Sequence, residues 1–244
     1  MPHGGFCLFS MTGIQTDNQA KRPKWTRLAE GLSLVALLSS MVNGDLLNRD
    51  HVVASLAAFE PRSVELDGRR SASVVIVVMR TADGTPVFPV TKRPSKMRAH
   101  PGQFALPGGS VDPGESSEQA AVRELSEELG VDVPESKIIG RLDDYVTRSG
   151  FVIRPFVMWS GEDIGGLVPN PDEVAQVYAV TSEELDVDSR FVTIEESPNP
   201  VIQWPFRTSL IHAPTGAVIY QFREVLNGRH TRIDKLEQPV FAWR

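Results

Sequence analysis

The sequence predicts an α/β protein: a mixed β-sheet with helices on both faces, preceded by a helical extension. Three observations carry this. The run "SVVIVVM" at 73–79 is continuously apolar and β-branched, as in a strand buried on both faces. A hairpin signal, Asp83-Gly84, follows it at once. Stretches of helical period then alternate with further short apolar runs, which favours strands covered by helices.

Taken in order, the residues to about Gln19 show no periodicity and read as a poorly ordered arm. Trp25, Leu28, Leu32, Val35 and Leu38, then Val52, Leu56 and Phe59, predict two helices that each bury one face. A cap on the main domain is the plainer reading of this extension; a lid or a dimer contact is the functional one, and a homodimer is compatible with it. Composition changes at Arg69-Arg70, which divides the chain into an arm and helical extension, 1–69, and a main domain, 70–244. Strands are expected at 73–79, 87–91, 102–106, 138–142, 152–159 and 174–180, with a turn at Ser149-Gly150. "TSEEL" starts a short helix at Ser182, the proline-interrupted "EESPNPVIQWP" reads as a loop, and 216–226 as a closing helix.

The net charge of −6 argues against broad binding to nucleic acid or anionic membrane, both of which require a basic surface. The single cysteine, Cys7, allows no intrachain disulfide and fits a reducing compartment. The apolar stretch 32–38 is too short to span a bilayer and too far from Met1 for a signal peptide, and residues 1–20 lack the Arg and Lys of a presequence. A soluble, intracellular, cytoplasmic protein without a membrane span or nucleic-acid partner is the expectation.

One helix stands out. Ser116 with Gln119 forms a capping-box pattern and Gly130 follows the last periodic residue, so a helix is predicted over 117–129. Ala121, Leu125 and Leu129 give it a buried stripe, while Glu124, Glu127 and Glu128 at i, i+3 and i+4 crowd another face. Like charges at that spacing cost roughly 0.2–0.5 kcal/mol per pair, which a wet surface tolerates, and Arg123 relieves Glu127 at i+4. Against that plain reading stands the glycine-rich "LPGGSVDPGE" immediately upstream, where backbone oxygens can approach a cation unobstructed. Mg²⁺ takes carboxylate, carbonyl and water oxygens, and binds best together with substrate phosphates.

Gly109, Glu115 after five residues, and after seven more Arg123-Glu124-Leu125-Ser126-Glu127-Glu128-Leu129-Gly130-Val131 resemble the Nudix box at every defining position. The resemblance implies a Nudix-like α/β/α sandwich and metal-dependent hydrolysis, with Mg²⁺ or Mn²⁺, of a nucleoside diphosphate linked to another moiety. It further implies that Glu124, Glu127 and Glu128 are metal ligands, one of them also orienting or deprotonating water. The Gly109 carbonyl would be a further ligand, and Glu115 with Arg123 a supporting ion pair.

Just ahead of the box, Lys92, Arg93, Lys96 and Arg98 stand in a stretch without an acidic residue between Gly84 and Asp112. A solvated basic loop is the plain reading; placed here in an acidic protein, Lys92, Arg93 and Arg98 are candidates to hold substrate phosphates. Thr91, Arg93, Arg98, Gly102 and Pro107-Gly108-Gly109 are similar to the signature of coenzyme A pyrophosphatases, a Nudix subfamily, with Pro94 in place of a small Ser or Ala and Leu106 in place of Phe. That resemblance implies a coenzyme A-like small-molecule substrate, cut to phosphopantetheine and adenosine 3′,5′-bisphosphate. The segment 170–180 also looks like one these enzymes carry, which makes Glu173 a candidate acid or base; a salt-bridged strand residue is the alternative. His100 reads as an exposed loop histidine, and Trp204 and Phe206 as packing. ADP-ribose, a dinucleotide or another capped nucleotide is the competing substrate, and a non-catalytic nucleotide-sensing module the competing class.

Overall fold

The computed structural model describes residues 45–96 and 101–242. The first expected helix, from Trp25, and also Cys7, Arg98 and His100, lie outside the described residues.

Helix α1 (Arg49–Ala58) opens the described chain, started by the Asn48 side chain, which accepts from the amides of Asp50 and His51. Strands β1 (Arg70–Arg80) and β2 (Pro86–Lys92) form the expected antiparallel hairpin. Next come β3 (Phe104–Ala105), β4 (Gly108–Ser110), helix α2 (Ser117–Leu129), β5 (Ile138–Arg141), β6 (Tyr145–Val146), β7 (Phe151–Asp163), β8 (Gln176–Val180) and the short helix α3 (Ser182–Leu185). Strands β9 (Arg190–Ile194), β10 (Ser197–Phe206) and β11 (Ser209–His212) precede the closing helix α4 (Thr215–Leu226).

The main sheet runs β3-β2-β1-β7-β5, with β4 on β1, β6 on β7 and β8 on β2. Its centre is the parallel pair β1 and β7, in register from Arg70 opposite Phe151; the remaining pairs are antiparallel, so the sheet is mixed. Alternation along β1 splits its side chains between two cores. Val75, Val77 and Met79 pack with Ala121, Leu125 and Leu129 of α2, whereas Ile76 and Val78 pack with α1 and α4. The three layers follow from that division. Leu47, Val52 and Leu56 belong to the second core, and α1 approaches β5 so closely that a Cβ on Gly140 would meet Leu56 at 3.0 Å.

The stretch read as a proline-interrupted loop is instead β10, the central strand of a separate sheet ordered β11-β10-β9. The prolines are accommodated at its irregular and one-sided parts. Pro198 and Pro200 fall where the register with β9 shifts, between Ser197 and Val201, and Pro205 lies beyond the last β9 partner, Gln203. Trp204 and Phe206 are buried and stacked, with centroids 5.3 Å apart, and so serve packing. Among the described residues no helix is long and apolar enough to cross a membrane.

Candidate active site

Helix α2 is fixed at both ends. The Ser116 hydroxyl accepts from the Gln119 amide at 3.0 Å while the Gln119 side chain accepts from the Ser116 amide at 2.9 Å, and Ser73 of β1 donates to the Ser117 carbonyl at 2.7 Å. At the other end Gly130 turns left-handed (φ 69°), and its amide closes on the Ser126 carbonyl at 2.8 Å. The segment 168–174 then docks on the helix end: the Val168 amide donates to Leu129 and the Asn170 amide to Glu128, each at 2.9 Å. These bonds satisfy carbonyls that a helix terminus otherwise leaves orphaned, and they carry Glu173 to the side of Glu128.

Three carboxylates converge as a result. One oxygen each from Glu124, Glu128 and Glu173 lie within 4.8 Å of one another, the only group of three potential metal-ligating side chains of this kind among the described residues. Glu128 is buried, and its Oε2 has no hydrogen-bond partner. Burial, and after it the charge of Glu124, pushes the Glu128 carboxyl up to about 8; burial likewise raises Glu124, opposed by Arg123. Glu127 is not drawn in: its side chain is 55% exposed and pairs with Arg123 at 3.0 Å.

Arg123 organises the rim. It bonds Glu115 at 2.9 Å, Glu124 at 2.8 Å and the Ser110 carbonyl at 3.0 Å. Its hydrogen bonds hold Glu115 below the usual carboxylate range. Gly109, paired with Ser73 across β4 and β1, presses on the cluster: a Cβ there would stand 2.3 Å from Glu124 Oε1. Carboxylate oxygens only, one of them buried without a partner, and a cradle that any side chain would fill suit a hard divalent cation such as Mg²⁺ or Mn²⁺.

A cleft of about 580 Å³ reaches this centre through the backbone of Gly108 and Gly109. None of the three carboxylates lines it; Gly109 and Arg93 are the links. Arg93 lines the cleft, its Nε is buried without a hydrogen-bond partner, and its charge acts on Glu128. Lys92 sits over the Phe104 ring at 5.5 Å and lines a neighbouring cavity.

A family model described as NUDIX domain matches residues 69–204. Among similar proteins, Nudix hydrolase 3 of Caenorhabditis elegans is 35% identical over 132 residues, covering 53% of this chain and 55% of the relative. A Nudix hydrolase named NudL from Citrobacter koseri is 32% identical over 165 residues, covering 64% and 70%. The mitochondrial coenzyme A diphosphatase NUDT8 of Mus musculus is 32% identical over 126 residues, covering 50% and 60%. The chain thus spans little more than half the length of the worm and mouse relatives.

Proposed function

Because this chain belongs to the Nudix family, we propose that it is a divalent-cation-dependent pyrophosphohydrolase whose substrate is coenzyme A or an acyl-coenzyme A, cleaved to phosphopantetheine and adenosine 3′,5′-bisphosphate. The observation that carries the hydrolase reading is the convergence of Glu124, Glu128 and Glu173 beside Gly109, with a buried Glu128 oxygen lacking a partner. Support for the substrate comes from the signature-like residues Thr91, Arg93 and Gly102, and from the name of the mouse relative.

When bound, the cation supplies charge neutralisation at the diphosphate and a more acidic water. Glu124, Glu128 and Glu173 hold it, with Glu127 as a further carboxylate at the solvent edge. Arg123, braced by Glu115, keeps Glu124 directed at the site. The Glu173 carboxylate accepts no hydrogen bond among the described residues, so the oxygen that does not face the cation would be open to accept from a water. Arg93, between the cleft and Glu128, meets a phosphate oxygen, and Lys92 adds positive charge nearby; Arg98, outside the described residues, is a further candidate from its place in the sequence alone. Residues 70–244 form the hydrolytic unit and α1 its cap.

A second reading, an ADP-ribose or dinucleotide pyrophosphatase, rests on the departures from the coenzyme A signature: Leu106 lines the cleft, and Pro94 is buried next to Arg93 in the chain. Hydrolysis of coenzyme A, dephospho-coenzyme A, ADP-ribose and dinucleotides with Mg²⁺ or Mn²⁺, with products identified by mass, separates the two. Phosphopantetheine as the dominant product supports the first. A preference for ADP-ribose or dinucleotides removes it, and no turnover of any substrate removes both.

A further inference from the structure

The cleft beside the carboxylate centre has two positively charged ends. Arg93 stands at the one near Gly109; Arg70, at the start of β1, stands at the other. No carboxylate lines the cleft among the described residues, in a protein whose net charge is −6. Phe104, Leu106 and Ile153 contribute apolar surface to the same lining. Ser73, the strand partner of Gly109, lies three positions beyond Arg70, which places the two ends on the order of 10 Å apart along the strand.

The Arg70 end, at the solvent-exposed start of β1, offers an anion a cation with little competition. Its guanidinium carbon lies over the Phe151 ring, 3.8 Å from the centroid, and its one hydrogen bond, to the Ser149 carbonyl, is long at 3.4 Å. It joins none of the ion pairs formed among the described residues, whereas nearby Arg148 is bound to Glu237. The hydroxyl of Ser149, 3.1 Å from that of Thr147, lines the same end. A planar fork held by an aromatic ring, beside a hydroxyl, matches the geometry of a phosphate.

Building on the coenzyme A reading above, we propose that Arg70, aided by Ser149, is a specificity-determining residue that receives a second phosphate, the one on the 3′ position of the substrate ribose, away from the bond that is cut. The test is binding of adenosine 3′,5′-bisphosphate and of AMP, in Mg²⁺, to the wild-type protein and to Arg70→Ala, by calorimetry. The wild type is expected to hold the bisphosphate roughly ten- to a hundredfold more tightly than AMP, and the variant to lose that margin while its affinity for AMP is unchanged. Arg70→Lys should recover only part of it, since an ammonium cannot form the two-point contact. A wild type without preference, or a variant that keeps it, overturns the assignment. Failure to hydrolyse coenzyme A would instead count against the substrate reading, because this measurement needs no turnover.

Discussion

Two groups of buried carboxylates sit in this molecule, and they are treated in opposite ways. Between β5 and β6, the Asp144 side chain is wholly buried and accepts from the Val64 amide at 3.0 Å, from Arg141 at 3.2 Å, and from Arg154 at 3.1 and 3.0 Å. Asp143 beside it accepts from the Arg62 amide, Gln221 and Arg232 at 2.7–2.8 Å. Both of its oxygens, and both of Asp144's, have donors. Glu128, equally inaccessible, has a buried oxygen with none, and its nearest charges include two more carboxylates. Burial of charge is tolerable where arginines and amides supply the opposite field; where they do not, the carboxyl is driven towards its protonated form, as at Glu128, unless a cation supplies the missing charge. The first group ties the segments around residues 62, 154, 221 and 232 together. The second brings three carboxylates together and leaves a buried oxygen without a donor, which is what the proposed cation site requires.

Removing one carboxylate from each group should therefore have opposite consequences. Glu128→Gln is expected to lower turnover by more than about a hundredfold while leaving the melting temperature in metal-free buffer at neutral pH unchanged or higher, since a permanently neutral amide avoids the cost of keeping a carboxyl from ionising on burial. Added Mg²⁺ should raise the melting temperature of the wild type and not that of the variant. A variant that turns over normally, or that melts much lower without metal, would make the two groups alike and end the distinction.

Asp144→Ala should do the reverse. Deleting a wholly buried carboxylate that neutralises Arg141 and Arg154 leaves two partly buried cations without that partner, a loss of about 3 kcal/mol in unfolding free energy by denaturant titration. Turnover per folded molecule, measured at low temperature, should stay near wild type because the residue touches no part of the cleft.

How legible was this contrast beforehand? Helix α2 was readable to the residue, because its capping box, its four-residue apolar stripe and Gly130 all point to the same ends. The acidic face was readable less finely. Successive helix positions differ by about 100°, so Glu127 and Glu128 cannot share one direction, and burial against the segment 168–174 decides that Glu128 turns inward. Glu173 came only from likeness to a family segment, since its approach depends on backbone bonds to the helix end. The Asp143 and Asp144 group gave no local signal: its partners lie as far as 89 residues away. Strand β10 was hidden by its prolines, whose positions are harmless only once β9 and β11 are known. Arg70 was visible merely as a change in composition.

A smaller effect sharpens the comparison through pH. Burial works to raise the Glu237 carboxyl, yet hydrogen bonds from Arg148, the Gln238 amide and Ser197 outweigh it and hold it below its usual value of 4.5. A group depressed on folding stabilises the protein fully above its unfolded pKa, and that contribution is lost as pH falls through the folded one. Glu237→Gln should therefore melt below the wild type at neutral pH, with the gap closing as the pH is taken under about 4.5. A gap that is constant with pH would mean that the ion pair with Arg148 contributes nothing, and that satisfied carboxylates here are not stabilising as a class.

The smallest expected change is at the start of α2. Ser116→Ala removes the acceptor for the Gln119 amide and should cost about 1 kcal/mol in denaturant unfolding. Turnover should hardly move, because Glu124 and Glu128 lie two turns and more into the helix and are fixed by Arg123, by Gly109 and by the segment docked on the far end. The cap and the acids are thus separable by design of the helix: one end sets its stability, the other its chemistry. If the alanine variant lost activity in proportion to stability, fraying would have to reach Glu124, and the carboxylate cluster would depend on the whole helix, as Asp144's group depends on the whole fold.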